Sequence, residues 1–284
     1  MGINKSQLLL ILAGVFIGIA LYFAPRSEDK EQAKSNLFES EEKDQADLKN
    51  EDQDALTTKL EPEKKNILDS LEEKAVQIAD LDTKLGLYDS LIQFSLKNNL
   101  PPLVGKYTEE KAKLVPTEKN WLLAGDRYFK AFRLSKNQSK EMIVKAIKAY
   151  KKVIELEPEN LDAQTAIGVA YVEGAGILGE MPMKGIGILK EVLNKDPKNI
   201  NALTNLGYFA IQSGQLDKAI ERFNQVLSIE PENAEAYLYL TDAYLSKGDE
   251  EKGLETLETY KSFLDDPEVI NQVDQYIEDI KNKK

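Results

Sequence analysis

Three short phrases recur along this chain: Pro158-Glu159-Asn160, Pro197-Lys198-Asn199 and Pro231-Glu232-Asn233. They stand 39 and 34 residues apart. Each closes one stretch of helical periodicity and opens another. A period of about 34 residues is the signature of stacked helix-turn-helix units, none of which can bury its apolar stripe alone. The period predicts an all-α chain built by stacking, and it points to a binding surface rather than to a catalytic cleft.

The clearest unit runs from Asn199 to Glu230. Its first helix carries Ala202, Leu203, Leu206, Gly207 and Ala210 on one stripe, and Gln212-Ser213-Gly214-Gln215 makes the turn. The second helix carries Ala219, Ile220, Phe223, Val226 and Leu227. Both stripes follow the i, i+3, i+4, i+7 rule. Gly207 and Ala219 allow close helix approach, with Phe223 filling the space beside them. Pro231 cannot continue the helix. Asn233 offers its side-chain oxygen to the bare N–H groups of the next one.

Leu206-Gly207, Ala219, Phe223 and Pro231 together resemble the tetratricopeptide repeat at its family spacing. The unit before reads Ile167, Gly168, Tyr171, Gly185, Leu189 and Pro197; the one before that reads Trp121, Gly125, Tyr128, Ala146, Tyr150 and Pro158. The unit after reads Tyr237, Leu240, Tyr244, Gly253 and Leu257, with Asp265 where the closing proline would stand. Leu87, Leu91, Phe94, Leu103, Tyr107 and Pro116 look like a further, degenerate unit. The resemblance covers Lys84 to Asp266. Two units exceed the family length. Tyr128 to Ala146 is 18 residues where Ala210 to Ala219 is 9, which predicts an elongated helix pair around Arg133–Lys145.

The fold expected from this resemblance is a right-handed tetratricopeptide α-solenoid, preceded by one transmembrane helix and a disordered acidic tether. The expected organisation is an anchor over 1–26, a tether over 27–63 and a helical region with the degenerate repeat over 64–117. The repeats follow over 118–266, with a capping helix over 267–284 that puts Val269, Val273, Tyr276, Ile277 and Ile280 on one face.

Leu8 to Ala24 is apolar apart from its glycines and Tyr22, which is 17 residues and the short end for a bilayer span. It is read as an uncleaved anchor, with a cleaved signal peptide as the competing reading. Gly14 and Gly18 form a GxxxG pair that would pack two such anchors together. Met1 to Ser6 also satisfies a myristoylation pattern, which a spanning helix would make redundant. Arg26, Lys30, Lys34 and Lys43 after the span favour a cytoplasmic repeat domain by the positive-inside rule. A short basic N-terminus before one apolar segment favours export instead. On the resemblance, a single pass through a bacterial inner membrane with the repeats in the periplasm is expected.

From 27 to 63 the chain carries 13 Asp or Glu against 5 Lys, most of its net charge of −12. Such a stretch self-repels and cannot bury a core. Beyond it, Ile67, Leu71, Ile78, Leu81, Leu85, Tyr88 and Ile92 recur at threes and fours. They fit either a coiled-coil seam or one or two helices packed on the first repeats.

Chemistry is poorly provided for. The chain has no Cys and no His. That excludes disulfides, thiolate nucleophiles and thiolate zinc sites, and it removes the usual base near neutral pH. No enzyme activity and no cofactor are expected, and the acidic balance argues against nucleic acid. Gly174-Ala175-Gly176-Ile177-Leu178-Gly179 matches GxGxxG, and Ala166–Val172 ahead of it could pass for a strand. Ile167, Gly168 and Tyr171 however fall on the repeat pattern, so the match is read as an inserted turn. Glu173 to Met183 then offers a soft Gly- and Met-rich surface.

The resemblance implies that first helices line a concave groove. Its inward side chains would be Asp162, Thr165, Val169 and Val172, then Asn201, Thr204, Tyr208 and Gln212, then Glu235, Leu238, Asp242 and Leu245. With one Asn and several acids this groove lacks a carboxylate clamp, and a polar, basic or partly unfolded protein segment is the expected ligand. The resemblance thus implies a non-enzymatic, membrane-anchored adaptor, with roles such as assisting secreted-protein folding, cytochrome c maturation or envelope assembly. A cytoplasm-facing import-type receptor and a structural homo-oligomer are the alternatives.

Overall fold

The structure is a computed structural model and describes residues 60–134 and 139–282. The apolar segment 8–24, with Gly14 and Gly18, and the acidic stretch as far as residue 59 lie outside the described residues. Within them the chain forms thirteen α-helices and no strand. None of these helices is long and apolar enough to cross a membrane. The described residues fall into two compact units, 60–192 and 193–282.

The first unit contains α1 (Pro62–Gln77), α2 (Leu81–Lys97), α3 (Pro101–Leu114), α4 (Glu118–Leu134), α5 (Lys140–Leu156), α6 (Leu161–Glu173), the single turn α7 (Ala175–Leu178) and most of α8 (Pro182–Lys195). The second contains the end of α8, then α9 (Ile200–Gln212), α10 (Leu216–Ile229), α11 (Ala234–Lys247), α12 (Glu250–Lys261) and α13 (Pro267–Lys281). In each, consecutive helices pack as hairpins.

The recurring Pro-x-Asn phrase performs two tasks in four residues. The Asn160, Asn199 and Asn233 N–H groups donate to the Glu157, Asp196 and Glu230 carbonyls at 3.0, 3.1 and 3.1 Å, closing a turn with proline inside it. Each Asn oxygen then accepts from the N–H three residues on, at Ala163, Ala202 and Ala236, over 2.8 to 2.9 Å. One phrase therefore stops a helix and caps its successor.

Within the hairpins, a glycine on one helix seats a bulky side chain of the next. A methyl group at Gly207 of α9 would lie 2.7 Å from Phe223 Cζ of α10, and one at Gly105 of α3 would lie 2.5 Å from Tyr128 Cδ1 of α4. Gly125 of α4 seats the Tyr150 ring of α5 in the same way, and Gly168 of α6 seats Leu189 of α8. The seated tyrosines are buried, and their hydroxyls end on carboxylates of the preceding helix. Tyr128 donates to Glu109 at 2.5 Å and Tyr150 to Asp126 at 3.0 Å. Tyr107 reaches Glu72 of α1 at 2.7 Å. Burial, followed by the neighbouring carboxylate, raises the pKa of both Tyr128 and Tyr150, so both remain donors.

The lengthened pair is α4 and α5, each of 17 residues against 13 and 14 for α9 and α10. The run from Ile67 to Ile92 forms no continuous seam, because the chain leaves the helix between Gln77 and Leu81. Leu68, Ala75, Tyr88 and Leu91 instead make a core with Leu103 and Tyr107, while Ile67 and Leu81 are exposed. Ala166–Val172 is helical, not a strand. A methyl at Gly174 would meet Ile143 Cγ1 at 2.8 Å, so that glycine serves packing between helices.

Thr165 and Val169, expected on an open groove, are buried at 4% and 6% exposure. The Thr165 hydroxyl has no hydrogen-bond partner there. A buried unpaired hydroxyl is destabilising, and valine keeps its shape. Thr165→Val is expected to raise stability by about 1–2 kcal/mol. Gly207→Ala is expected to lower it by about 1–3 kcal/mol through overpacking on Phe223. Thermal unfolding of the two variants beside the parent chain checks both, and shifts of the opposite sign would refute the assigned packing.

Candidate functional site

The predicted groove residues of the unit 193–282 lie on two helices. Asn201, Thr204, Tyr208 and Gln212 fall at i, i+3, i+7 and i+11 of α9, along one face. Glu235, Leu238 and Asp242 do the same on α11. Aromatic contacts join the two helices. The Tyr208 ring centroid is 5.7 Å from that of Tyr239 on α11, and Tyr239 stacks on Phe223 at 5.3 Å. Phe223 is the ring seated on Gly207. Tyr208 is thus the half-exposed end of an aromatic row rooted in the core, so its position is fixed by packing.

Around that row the chemistry is acidic and amide-rich. Asn201 and Glu235 are exposed, and Thr204 and Gln212 are half-buried. Leu238 is an exposed apolar side chain beside them. Asp242 is half-buried, and its carboxyl is pushed above the usual range by desolvation, offset only in part by Ser246, whose hydroxyl donates to it at 3.3 Å. An anion desolvated in this way favours a cation brought to it.

The face ends earlier than the sequence suggests. Leu245 does not line it. That side chain packs with Leu254, Leu257, Tyr260 and Val273 against Ile277 and Ile280 of α13. A methyl at Gly253 would lie 2.5 Å from Leu245 Cδ2, so this leucine is wedged between α12 and the terminal helix. Tyr276 of α13 lies near enough for the Asp242 charge, after burial, to raise the pKa of its hydroxyl. Asp242 therefore marks the closed end of the surface.

The unit 60–192 holds a second surface that the repeat pattern does not point to. Asp126, Phe129, Lys130 and Arg133 line an open pocket of about 380 Å³ along α4. The Arg133 guanidinium lies 4.4 Å over the Phe129 ring, and its Nε donates to Glu173 of α6 at 2.9 Å. A signal was present in the sequence. Trp121, Gly125 and Tyr128 commit one side of α4 to packing, and the pocket residues fall at i, i+3, i+4 and i+7 on the other. No cluster of carboxylates able to hold a metal ion occurs among the described residues.

Asp242 gives a pH-dependent expectation. Its carboxyl pKa is raised on folding, so its contribution favours the folded state at low pH and is lost as pH rises through the raised value. Asp242→Asn is therefore expected to raise the unfolding temperature at pH 7. The gain should shrink towards pH 3, where the parent carboxyl is already neutral. A gain that stays constant across that range would show that the carboxylate carries no desolvation cost.

Comparison with known proteins agrees with the repeat reading. The family described as tetratricopeptide repeat matches residues 184–227 and 210–271. No curated protein matches the chain. Among solved structures, the crystal structure of MamA protein aligns with a TM-score of 0.43 at 19% identity, covering 63% of this chain and 91% of that one. MamA 41-end from Desulfovibrio magneticus RS-1 aligns with a TM-score of 0.44 at 18% identity, covering 63% and 94%. YrrB, described as a TPR protein with an unusual peptide-binding site, aligns with a TM-score of 0.42 at 19% identity, covering 66% and 91%. The turn-and-cap phrases, the glycine-seated side chains and the matched segments lead to one statement: residues 184–271 of this chain are tetratricopeptide repeats.

Proposed function

We propose that this chain is a non-enzymatic scaffold, held at a membrane by residues 8–24, whose α9–α11 surface binds an extended segment of another protein. The observation that carries the reading is the aromatic row Tyr208–Tyr239–Phe223, which fixes a half-exposed ring among Asn201, Thr204, Gln212, Glu235 and Asp242. Asn201 and Gln212 supply amide donors and acceptors for a peptide backbone. Glu235 and Asp242 supply anions for Lys or Arg, and Tyr208 and Leu238 supply apolar contact. The preferred ligand is thus a polar, basic or partly unfolded segment. Anchor, acidic tether and repeats in that order suit a bacterial inner-membrane protein with its repeats in the periplasm. There it would assist folding of secreted proteins or assembly of envelope complexes.

The four basic residues Arg26, Lys30, Lys34 and Lys43 favour a second topology, with the repeats in the cytoplasm as in an import-type receptor. Protease accessibility from either side of the membrane separates the two. For the surface itself, a photoreactive residue replacing Tyr208 in cells is expected to capture a discrete protein. Capture should fall by at least about tenfold when Asn201 and Asp242 are both changed to Ala. A diffuse smear, or capture indifferent to those changes, would remove the binding role from this face.

A further inference from the structure

The pocket on α4 has a chemistry opposite to that of the α9–α11 surface. Lys119 and Lys130 are exposed on the same side of α4 as Leu123 and Leu134, which are 42% and 57% exposed. The two acids that border the pocket are engaged by other groups. Asp126 accepts from Tyr150, and Glu173 accepts from Arg133. Residues 111–152 carry twelve Lys or Arg against three Asp or Glu, in a chain whose net charge is −12; among them Lys111, Lys113, Lys145 and Lys152 are paired with carboxylates, and Lys119 and Lys130 stand exposed on α4. The face therefore combines exposed cations, exposed leucines and a pocket floored by Phe129. It suits an acidic segment with an apolar anchor.

The same chain contains such a segment. Leu37-Phe38-Glu39-Ser40-Glu41-Glu42 places two large apolar residues directly before three carboxylates in four positions. Nothing else between residues 27 and 59 pairs two large apolar residues in this way. Leu60, where the described residues begin, packs on the core of α1–α3 in the same unit as α4. Leu60 stands 18 positions after Glu42. As a free coil that stretch spans about 25 Å, and fully extended about 60 Å. A compact unit of this size has a radius of gyration of about 14 Å, so the reach suffices. The α9–α11 surface, with Glu235 and Asp242, would repel the same segment.

We propose that residues 37–42 dock in cis on the α4 face, with Leu37 and Phe38 in the pocket beside Phe129 and the glutamates on Lys119 and Lys130. The docked segment draws the first unit towards the base of the tether.

Because the chain has no cysteine, a pair introduced by substitution forms the only disulfide. In the full chain, Ser40→Cys is paired either with Leu134→Cys on α4 or with Gln93→Cys, an exposed site on α2. Under mild oxidation the Ser40–Leu134 pair is expected to close within one chain at least about tenfold faster than the Ser40–Gln93 pair. Adding Lys119→Glu and Lys130→Glu should bring the two rates together. These lysines are exposed, so folding is not at stake, and circular dichroism checks it. Equal rates in the parent background would overturn the proposal. Disulfide-linked dimers in place of closed monomers would overturn docking in cis and assign the segment to a second copy. A fast rate that survives the lysine reversals would also overturn it, since the charges would then play no part.

Discussion

A bulky side chain seated where the facing helix has only a glycine sets the distance between helices in both units. Gly105 takes Tyr128, Gly125 takes Tyr150, Gly168 takes Leu189 and Gly207 takes Phe223. Each contact lets two helix backbones approach closely enough for the flanking alanines to meet. Ala112, Ala124 and Ala149 cluster this way, as do Ala210, Ala219, Ala236 and Ala243. Close approach of one side of each first helix turns its opposite side outward, which is how Tyr208 and Phe129 come to line surfaces. In the last hairpin the device runs backwards. The glycine is Gly253 on the second helix, and the seated side chain is Leu245 on the first.

The first unit adds a polar constraint to the steric one. At Gly105 and Gly125 tyrosine fills the notch where the second unit uses phenylalanine, and a tyrosine hydroxyl must find an acceptor when buried. Glu72, Glu109 and Asp126 provide one each. The carboxylates respond differently. Glu109 is desolvated, but bonds from Lys113 and Tyr128 outweigh that and hold its pKa below the usual range. Asp126 is raised by desolvation, which the Tyr150 bond and Arg127 offset only in part. Such pairs fix which residues face each other along the helices, since a shift of one turn would leave the buried tyrosine hydroxyl without its acceptor.

Much of this was legible in the residues. The Pro-x-Asn phrases, the Gly207–Phe223 match and the 9-residue surplus before Ala146 each have a local physical meaning that needs no knowledge of neighbours. The misreadings share a cause. Leu245, Val169 and Thr165 occupy positions that the repeat pattern assigns to a groove, but the first packs against the core that α13 completes and the others are buried. Periodicity reports the face of a helix and not what lies against it. Ile67 to Ile92 keeps its threes and fours across Ile78, Ala79 and Asp80, where Asp80 caps a new helix through the Thr83 N–H at 2.9 Å. The α4 pocket was readable in principle, but mixed Asp, Lys and Arg on an exposed face look like ordinary solvated charge until Phe129 is seen beneath them.

Trp121, the only tryptophan of the chain, packs among Ala112, Ala124 and Ala149 on the side of α4 away from the pocket. Its indole belongs to the first unit alone, whereas tyrosines are distributed over both. Tryptophan emission is therefore an optical tag for residues 60–192, and tyrosine absorbance reports on the whole described chain. If the two signals melt together, the units unfold as one cooperative body; if they part, the chain contains two thermodynamic domains joined through a single helix.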